Sequence, residues 1–210
     1  MSAPPLSPAE FAAQTGVSRE TLERLEAYAR LLAEWSARIN LVGRSTLADP
    51  WRRHFLDSAQ LLPLLPQGAR SLVDMGSGAG FPGLVLAILG MPEVELIEAD
   101  RRKTTFLREV ARIADVGVTV RACRIEAVAP HVADVVTARA CAPLDRLLPL
   151  AEKFIGPKTT CLFLKGAQAE EELTIAGKAW TMRASRHPSR SDPDGTILSL
   201  QQVVRESRRD

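Results

Sequence analysis

The stretch that most constrains this chain is a short apolar run that ends in an acid and breaks into glycines. Ser71-Leu72-Val73-Asp74-Met75 leads into Gly76-Ser77-Gly78-Ala79-Gly80-Phe81-Pro82-Gly83. Residues 71 to 75 have strand character. The glycines permit positive φ and close backbone approach, and Pro82 helps to start a helix whose first amides are free to donate. A strand, a tight turn and a helix in that order place a small ligand over the turn.

The chain after Pro66 supplies a sheet to carry that turn. Short β-branched or apolar runs at 71 to 75, 93 to 98, 117 to 122, 133 to 137 and 158 to 164 alternate with helical stretches at about 81 to 90, 101 to 115, 143 to 154 and 168 to 180. This alternation predicts βαβ units and a mostly parallel sheet covered on both faces. The tail breaks the rhythm, because 180 to 187 and 196 to 204 read as two strands with only the turn-rich Pro188 to Gly195 between them, an antiparallel hairpin at the sheet edge. Upstream, Leu22, Leu25, Ala29, Leu32, Trp35 and Ile39 recur at helical spacing, which predicts a helix from Ser18 to about Asn40, capped by Ser18 or Thr21. Asp49 as N-cap and Pro50 at the first helical position predict a second helix to about Leu62. Residues 1 to 8 carry three prolines and read as a loose arm. The expected organisation is an N-terminal arm and helical extension over 1–66, attached to one Rossmann-like α/β unit over 67–210.

With 210 residues, 46% of them hydrophobic, the chain can bury one substantial core, whereas two full domains would both be small. The net charge of +2 gives no global field for nucleic acid, so any such partner must be held by local patches. No run approaches the roughly 18 apolar residues of a membrane span. Cys123, Cys141 and Cys161 lie in apolar surroundings without CxxC or Cys/His spacing, which points to buried thiols in a reducing compartment. The expectation is a soluble cytoplasmic monomer with no metal and no membrane contact.

Two cofactors compete for the glycine turn. Gly78 to Gly83 is literally GxGxxG, and Glu98 follows Gly78 by 20 residues at the end of the second strand, as in dinucleotide-binding folds. Three features favour S-adenosylmethionine instead. Asp74 at the strand tip complements a cationic amino acid group and repels a pyrophosphate. Gly83 directly follows Pro82 at the helix start, while the third glycine of the dinucleotide pattern falls inside the helix. The sheet also ends in a hairpin and lacks a second mononucleotide-binding half. The reading is a class I S-adenosylmethionine-dependent methyltransferase, with an NAD(P)-dependent oxidoreductase as the alternative. Asp74, Gly76, Gly78, Gly80 and Phe81 form the cradle, and Glu98 accepts the ribose hydroxyls. Asp100 is a rival for the ribose, or caps the next helix.

Beyond this loop the chain resembles the bacterial 16S ribosomal RNA guanine-N7 methyltransferases of the RsmG (GidB) family. Arg53-His54-Phe55-Leu56-Asp57-Ser58, the Val73 to Gly83 loop, Leu96-Ile97-Glu98, Thr137-Ala138-Arg139-Ala140 and Leu164-Lys165-Gly166 carry the resemblance. It implies methyl transfer from S-adenosylmethionine to N7 of one guanine in the decoding region of 16S ribosomal RNA, free or in the small subunit. It further implies a cofactor set against Gly76, Phe81, Ile125, Glu126 and Arg139. Ile125-Glu126 alternatively reads as an ordinary helix start after the third strand. Arg139, at the carboxyl edge of the sheet, is the candidate catalytic residue, acting by orientation and not by proton transfer. Arg52, Arg53, His54 and Lys165 are candidate RNA contacts, each with a bland alternative: a solvated charge, or for His54 a helix histidine with satisfied partners. Asp57 reads as a partner of His54 or Arg53. The chain departs from the family at Cys141, where a phenylalanine is common, and in its C-terminal strand. A non-catalytic RNA-binding protein is the remaining alternative.

Overall fold

The computed structural model describes residues 4–206. Its centre is a seven-stranded sheet ordered β3-β2-β1-β4-β5-β7-β6. Strands β1 (Ser71–Met75), β2 (Glu93–Ile97), β3 (Thr119–Arg121), β4 (Val135–Arg139) and β5 (Thr160–Lys165) are parallel. β7 (Thr196–Arg205) lies antiparallel to β5 and to the edge strand β6 (Trp180–Pro188), so the tail forms the expected hairpin. The strand order reverses at β1 and β4, the switch point where ligands of open α/β sheets collect.

Helices α4 (Gly83–Ile88), α5 (Arg101–Ile113), α6 (Leu144–Ala151) and α7 (Ala169–Ala176) cover the sheet. The period-two rule sorts the strand residues between two cores. Leu72, Leu96, Val135 and Leu162 point into one, and Val73, Met75, Ile97, Val136 and Phe163 into the other.

The N-terminal extension is more ordered than expected. Residues 1–3 of the anticipated arm lie outside the described residues, but Leu6 is buried and its N–H donates to Asp49 Oδ1 at 2.8 Å. An unanticipated helix, α1 (Pro8–Thr15), starts at a capping box in which Ser7 and Glu10 satisfy each other's backbone N–H groups. α2 (Arg19–Ser36) is capped by Ser18, whose Oγ accepts from Thr21 N at 3.1 Å. The next helix begins after Pro50 as a π-helical turn, Trp51–Leu56, followed by the short α3 (Asp57–Ala59). In that turn the Asp57 N–H reaches back five residues to Arg52 O.

The extension and the sheet share one core. Phe11, Leu25, Tyr28, Leu32 and Phe55 pack in the same cluster as Leu84, Phe106 and Leu107. Tyr28 sits at its centre, stacked on Phe81 at 5.2 Å and edge-on to Phe55 at 5.2 Å, contacts worth about 0.5–1.5 kcal/mol each beyond burial. The boundary at residue 66 therefore divides the chain but not the core.

Candidate active site

The glycine turn is built as anticipated, with φ of +66° at Gly76, +58° at Gly78 and +97° at Gly80. Each glycine answers a different constraint. A Cβ on Gly80 would lie 2.7 Å from the Tyr28 hydroxyl oxygen and 2.9 Å from Leu84 Cβ, so this position lets the extension dock. Tyr28 also donates its hydroxyl proton to Ala79 O. A Cβ on Gly83 would lie 2.6 Å from Asp74 Cβ and 2.7 Å from Leu96 Cδ2. Gly83 thus serves close helix–strand packing, and the contrast drawn from its position does not distinguish the two cofactors. A Cβ on Gly78 would meet nothing nearer than Gly76 O at 3.8 Å. The space over Gly78 is open to a ligand.

The acids differ from one another. Asp74, expected to meet a cationic ligand group, is fully buried on the face it shares with Leu72. Its Oδ1 accepts from Thr137 Oγ1 at 2.7 Å and its Oδ2 from Gly83 N at 3.3 Å. It braces the turn from beneath, and burial pushes its carboxyl up to about 6. Glu98 does face the ligand space: Oε2 accepts from Gly78 N at 2.9 Å and Oε1 from Asp100 N at 2.7 Å. Both oxygens are oriented and retain lone pairs for further donors. Asp100 caps α5 through Arg102 N at 2.8 Å, which leaves Glu98 as the ribose candidate.

A cavity of about 790 Å³ runs along the carboxyl edge of the sheet. Glu98, the turn from Gly76 to Ala79, Arg139 to Pro143, Leu164 to Gly166 and Glu172 line it, and the 41–43 loop and the hairpin turn close it. Arg139 is the last residue of β4 and lies one position further into the strand than expected. Its Nη1 donates to Arg53 O (3.1 Å), His54 Nδ1 (3.0 Å) and Asp57 Oδ2 (3.3 Å), and its guanidinium stands 4.9 Å over the Phe81 ring. Among the described residues no hydrogen bond uses Nε or Nη2, so Arg139 is anchored by one nitrogen and offers the others to the cavity.

His54, expected as an RNA contact, is buried and bonded internally. It is 4% exposed, stacks on Phe81 at 4.9 Å, and has a protein partner on each ring nitrogen. Because Nδ1 accepts from Arg139, the proton is assigned to Nε2, which donates to Thr46 Oγ1 at 2.8 Å. Burial, then the Arg139 and Arg53 charges, lower its pKa to about 3, so the imidazole is neutral. The Arg139 site therefore depends on an uncharged histidine.

The other basic candidates are also engaged internally. Arg52 pairs with Asp49 at 2.8 Å and donates to Pro4 O. Arg53 pairs with Asp192 in the hairpin turn at 2.8 Å. Lys165 donates to Ala142 O at 2.7 Å and pairs with Glu172 at 2.8 Å. Only Arg53, His54 and Lys165 of the four line the cavity. Ile125 and Glu126 form a turn (Ile125–Ala127) outside its lining, with Ile125 in the core and Glu126 exposed. The Glu126 charge nevertheless joins Asp74 and Glu98 in raising the pKa of Cys141, a lining residue that burial perturbs first.

Sequence reasoning missed several functional groups. Asp57 does not pair with His54 or Arg53; it accepts from Arg139, Gln60 and Ser191. With Arg53–Asp192, these bonds clamp the hairpin turn onto the π-helical segment. Turn residues 129 or more positions away give no local signal for this. Glu172 was one acid in the run Glu170 to Glu172, with nothing to single it out. Tyr28 was passed over in favour of Ala29, although an aromatic at helical spacing between Leu25 and Leu32 was the signal for it.

Chemically, the site offers an acid-marked cradle, an anchored guanidinium and, among the described residues, no nucleophile–base pair. A family model described as rRNA small subunit methyltransferase G matches residues 21–192. The chain is 60% identical over 200 residues to the ribosomal RNA small subunit methyltransferase G of Paramagnetospirillum magneticum, covering 95% of this chain and 98% of that protein. The protein of the same name from Rhodospirillum rubrum is 56% identical over 200 residues, covering 95% and 100%. Among solved structures, an O-methyltransferase from Bacillus cereus in complex with SAH superposes with a TM-score of 0.57 at 18% identity, covering 89% of this chain and 92% of that one. That likeness concerns the fold, a class I methyltransferase fold, and the sequence relatives supply the rest: this chain belongs to the rRNA small subunit methyltransferase G family.

Proposed function

We propose that this chain transfers the methyl group of S-adenosylmethionine to N7 of a guanine in the decoding region of 16S ribosomal RNA. The observation that carries this reading is the position of Arg139, anchored through Nη1 and open through Nε and Nη2 midway along the cavity, between the Glu98 cradle and Lys165. The cradle fits the cofactor. Glu98 can accept ribose hydroxyls, and the open space over Gly78 admits a ligand against the backbone.

When bound, S-adenosylmethionine supplies an electrophilic methyl group. Guanine N7 has its own lone pair, so no general base is required, and the residues act by orientation. Arg139 orients, His54 and Asp57 each accept from Arg139 and fix it, and Lys165 and Arg53 line the substrate side. Arg52 contributes by holding the N-terminal segment. N7 lies in the deep groove of A-form RNA, so the base must come from a loop or an opened helix. With that substrate the reaction belongs to the cytoplasm.

The test is labelled methyl transfer to small-subunit RNA from cells lacking the activity, followed by chemical cleavage at N7-methylguanine. Arg139→Ala is expected to lower the rate by about 100-fold or more, about 2.7 kcal/mol of lost positioning, with the fold retained. Wild-type turnover in a folded variant would refute its role. Calorimetry with S-adenosylhomocysteine and with NADH separates the cofactor readings, since only the first is expected to bind.

A further inference from the structure

The cavity is longer than its cofactor end. Glu98 stands at the tip of β2 and Lys165 at the tip of β5, three strand spacings away, about 14 Å at ~4.8 Å per spacing. The far end is marked by the pair Lys165 and Glu172, whose side chains are only 8% and 19% exposed. Within it the two carboxylate oxygens have different duties. Oε2 accepts from Leu144 N at 2.8 Å and faces the Lys165 ammonium at 2.8 Å. No hydrogen bond among the described residues uses Oε1, and it is not among the buried polar atoms left without a partner, so it is accessible, on a side chain that lines the cavity. Lys165 has two of its three protons engaged, by Ala142 O and by Glu172, with one left over.

An unfilled acceptor beside an unfilled donor matches a base edge that sets a ring N–H beside a carbonyl, which of the two purines with an N7 only guanine has. Guanine presents, in order, the 2-amino group, N1–H and O6: two donors, then an acceptor. Adenine presents an unprotonated N1 and an amino group there, which would oppose the carboxylate with a lone pair and the ammonium with a donor. Extruded bases are commonly read on this edge.

Resting on the proposed guanine-N7 reading, we infer that the Lys165–Glu172 pair is the base-recognition subsite, with Glu172 Oε1 accepting from N1–H and the 2-amino group and Lys165 donating to O6. The same contact assists the reaction. The N7 lone pair forms the new bond to carbon as the sulfur–carbon bond breaks, its electron pair staying on sulfur. The sulfur ends neutral, the purine carries the positive charge, and no proton moves. A purine becoming cationic makes its N1–H a stronger donor, so the bond to Glu172 tightens in the transition state, and binding of that kind raises rate as well as affinity.

Glu172→Gln separates this role from a structural one. The glutamine oxygen can still accept from Leu144 N and Lys165, while an amide NH2 replaces the free oxygen and opposes N1–H. A purely structural Glu172 predicts a lower unfolding midpoint from the weakened Lys165 pair, with the rate of the folded enzyme unchanged. The subsite predicts a loss of at least about 10-fold in single-turnover rate of the folded enzyme, with S-adenosylhomocysteine affinity unchanged. The second arm uses wild-type protein and small-subunit RNA ligated to carry inosine at the methylated position, which removes only the 2-amino group. Wild type is expected to slow by about 10-fold on inosine, and Glu172→Gln to show no comparable further loss. Equal wild-type rates on guanine and inosine, an unchanged rate in Glu172→Gln, or fully additive losses would overturn the subsite. Absence of N7 methylation by wild type on the natural RNA would instead refute the proposed function.

Discussion

Acid is expected to weaken the folded chain through His54, by an amount that follows from its surroundings. The folded imidazole is neutral because Nδ1 must accept from Arg139, and burial next to two guanidinium groups holds its pKa at about 3 against 6.5 in an unfolded chain. The sign follows from proton linkage. Between those values the unfolded state binds a proton that the folded state refuses, so the contribution is complete above 6.5 and declines as the pH falls toward 3. From about pH 7.5 to about pH 5 the loss amounts to 1.5 pKa units of differential protonation, about 2 kcal/mol. Asp74 acts in an overlapping window with the opposite sign, because its carboxyl is raised to about 6 from 3.8 and folding gains as pH falls through that range. The two would partly cancel in the wild type alone. Urea unfolding of wild type and His54→Gln at both pH values removes the Asp74 contribution by subtraction, since the glutamine keeps a donor for Thr46 but does not titrate. The wild-type advantage is expected to shrink by about 2 kcal/mol at the lower pH. Parallel stability curves would show that His54 protonates freely, and the neutral-histidine account of the Arg139 anchor would be wrong.

Asp74→Asn removes the opposing contribution: relative to this variant, wild type is expected to gain about 2 kcal/mol of stability as the pH falls from about 6 to about 4, read from unfolding midpoints across that range. The glycines should separate packing from binding. Gly83→Ala drives a methyl against Asp74 and Leu96 and is expected to cost about 1–3 kcal/mol or more in urea unfolding. Gly78→Ala makes only an ordinary contact with Gly76 O and is expected to cost only the ~1–2 kcal/mol of a left-handed alanine, while S-adenosylhomocysteine affinity measured by calorimetry falls by at least about 10-fold.

The sheet was legible because its signals are local. Each strand of the sheet lies within about two residues of its sequence-based limits, since apolar runs, glycines and helix caps act over a few positions. The glycine turn, Glu98 and the Asp100 cap were readable for the same reason. α1 was overlooked although Ser7-Pro8-Ala9-Glu10 spells a capping box, because Phe11 is its only buried residue and the helical stripe is correspondingly thin. The inward turn of Asp74 was also available, in principle, from strand alternation: Leu72 and Asp74 share a face, and that face is core. What the sequence could not disclose is the setting of Arg139. Its partners lie 82 to 86 positions upstream, and the residues that hold them lie in a turn near the other end of the chain. Such contacts depend on how elements dock and leave no local pattern.

The π-helical turn at Trp51–Leu56 has a consequence for how this stretch tolerates change in length. A π turn amounts to one residue inserted into an α-helix, absorbed by widening one loop of the spiral. Removing a residue there would let the spiral close to α geometry while both flanking ends stayed where they are. The same deletion in α2 would swing every later side chain around the axis and pull Tyr28 or Leu32 out of the core. Within 51–56 a shortened chain could keep its fold and lose only the local arrangement that turns Arg53 O and His54 Nδ1 toward Arg139. Chain length is thus set by packing along α2 and by the guanidinium anchor along this one turn.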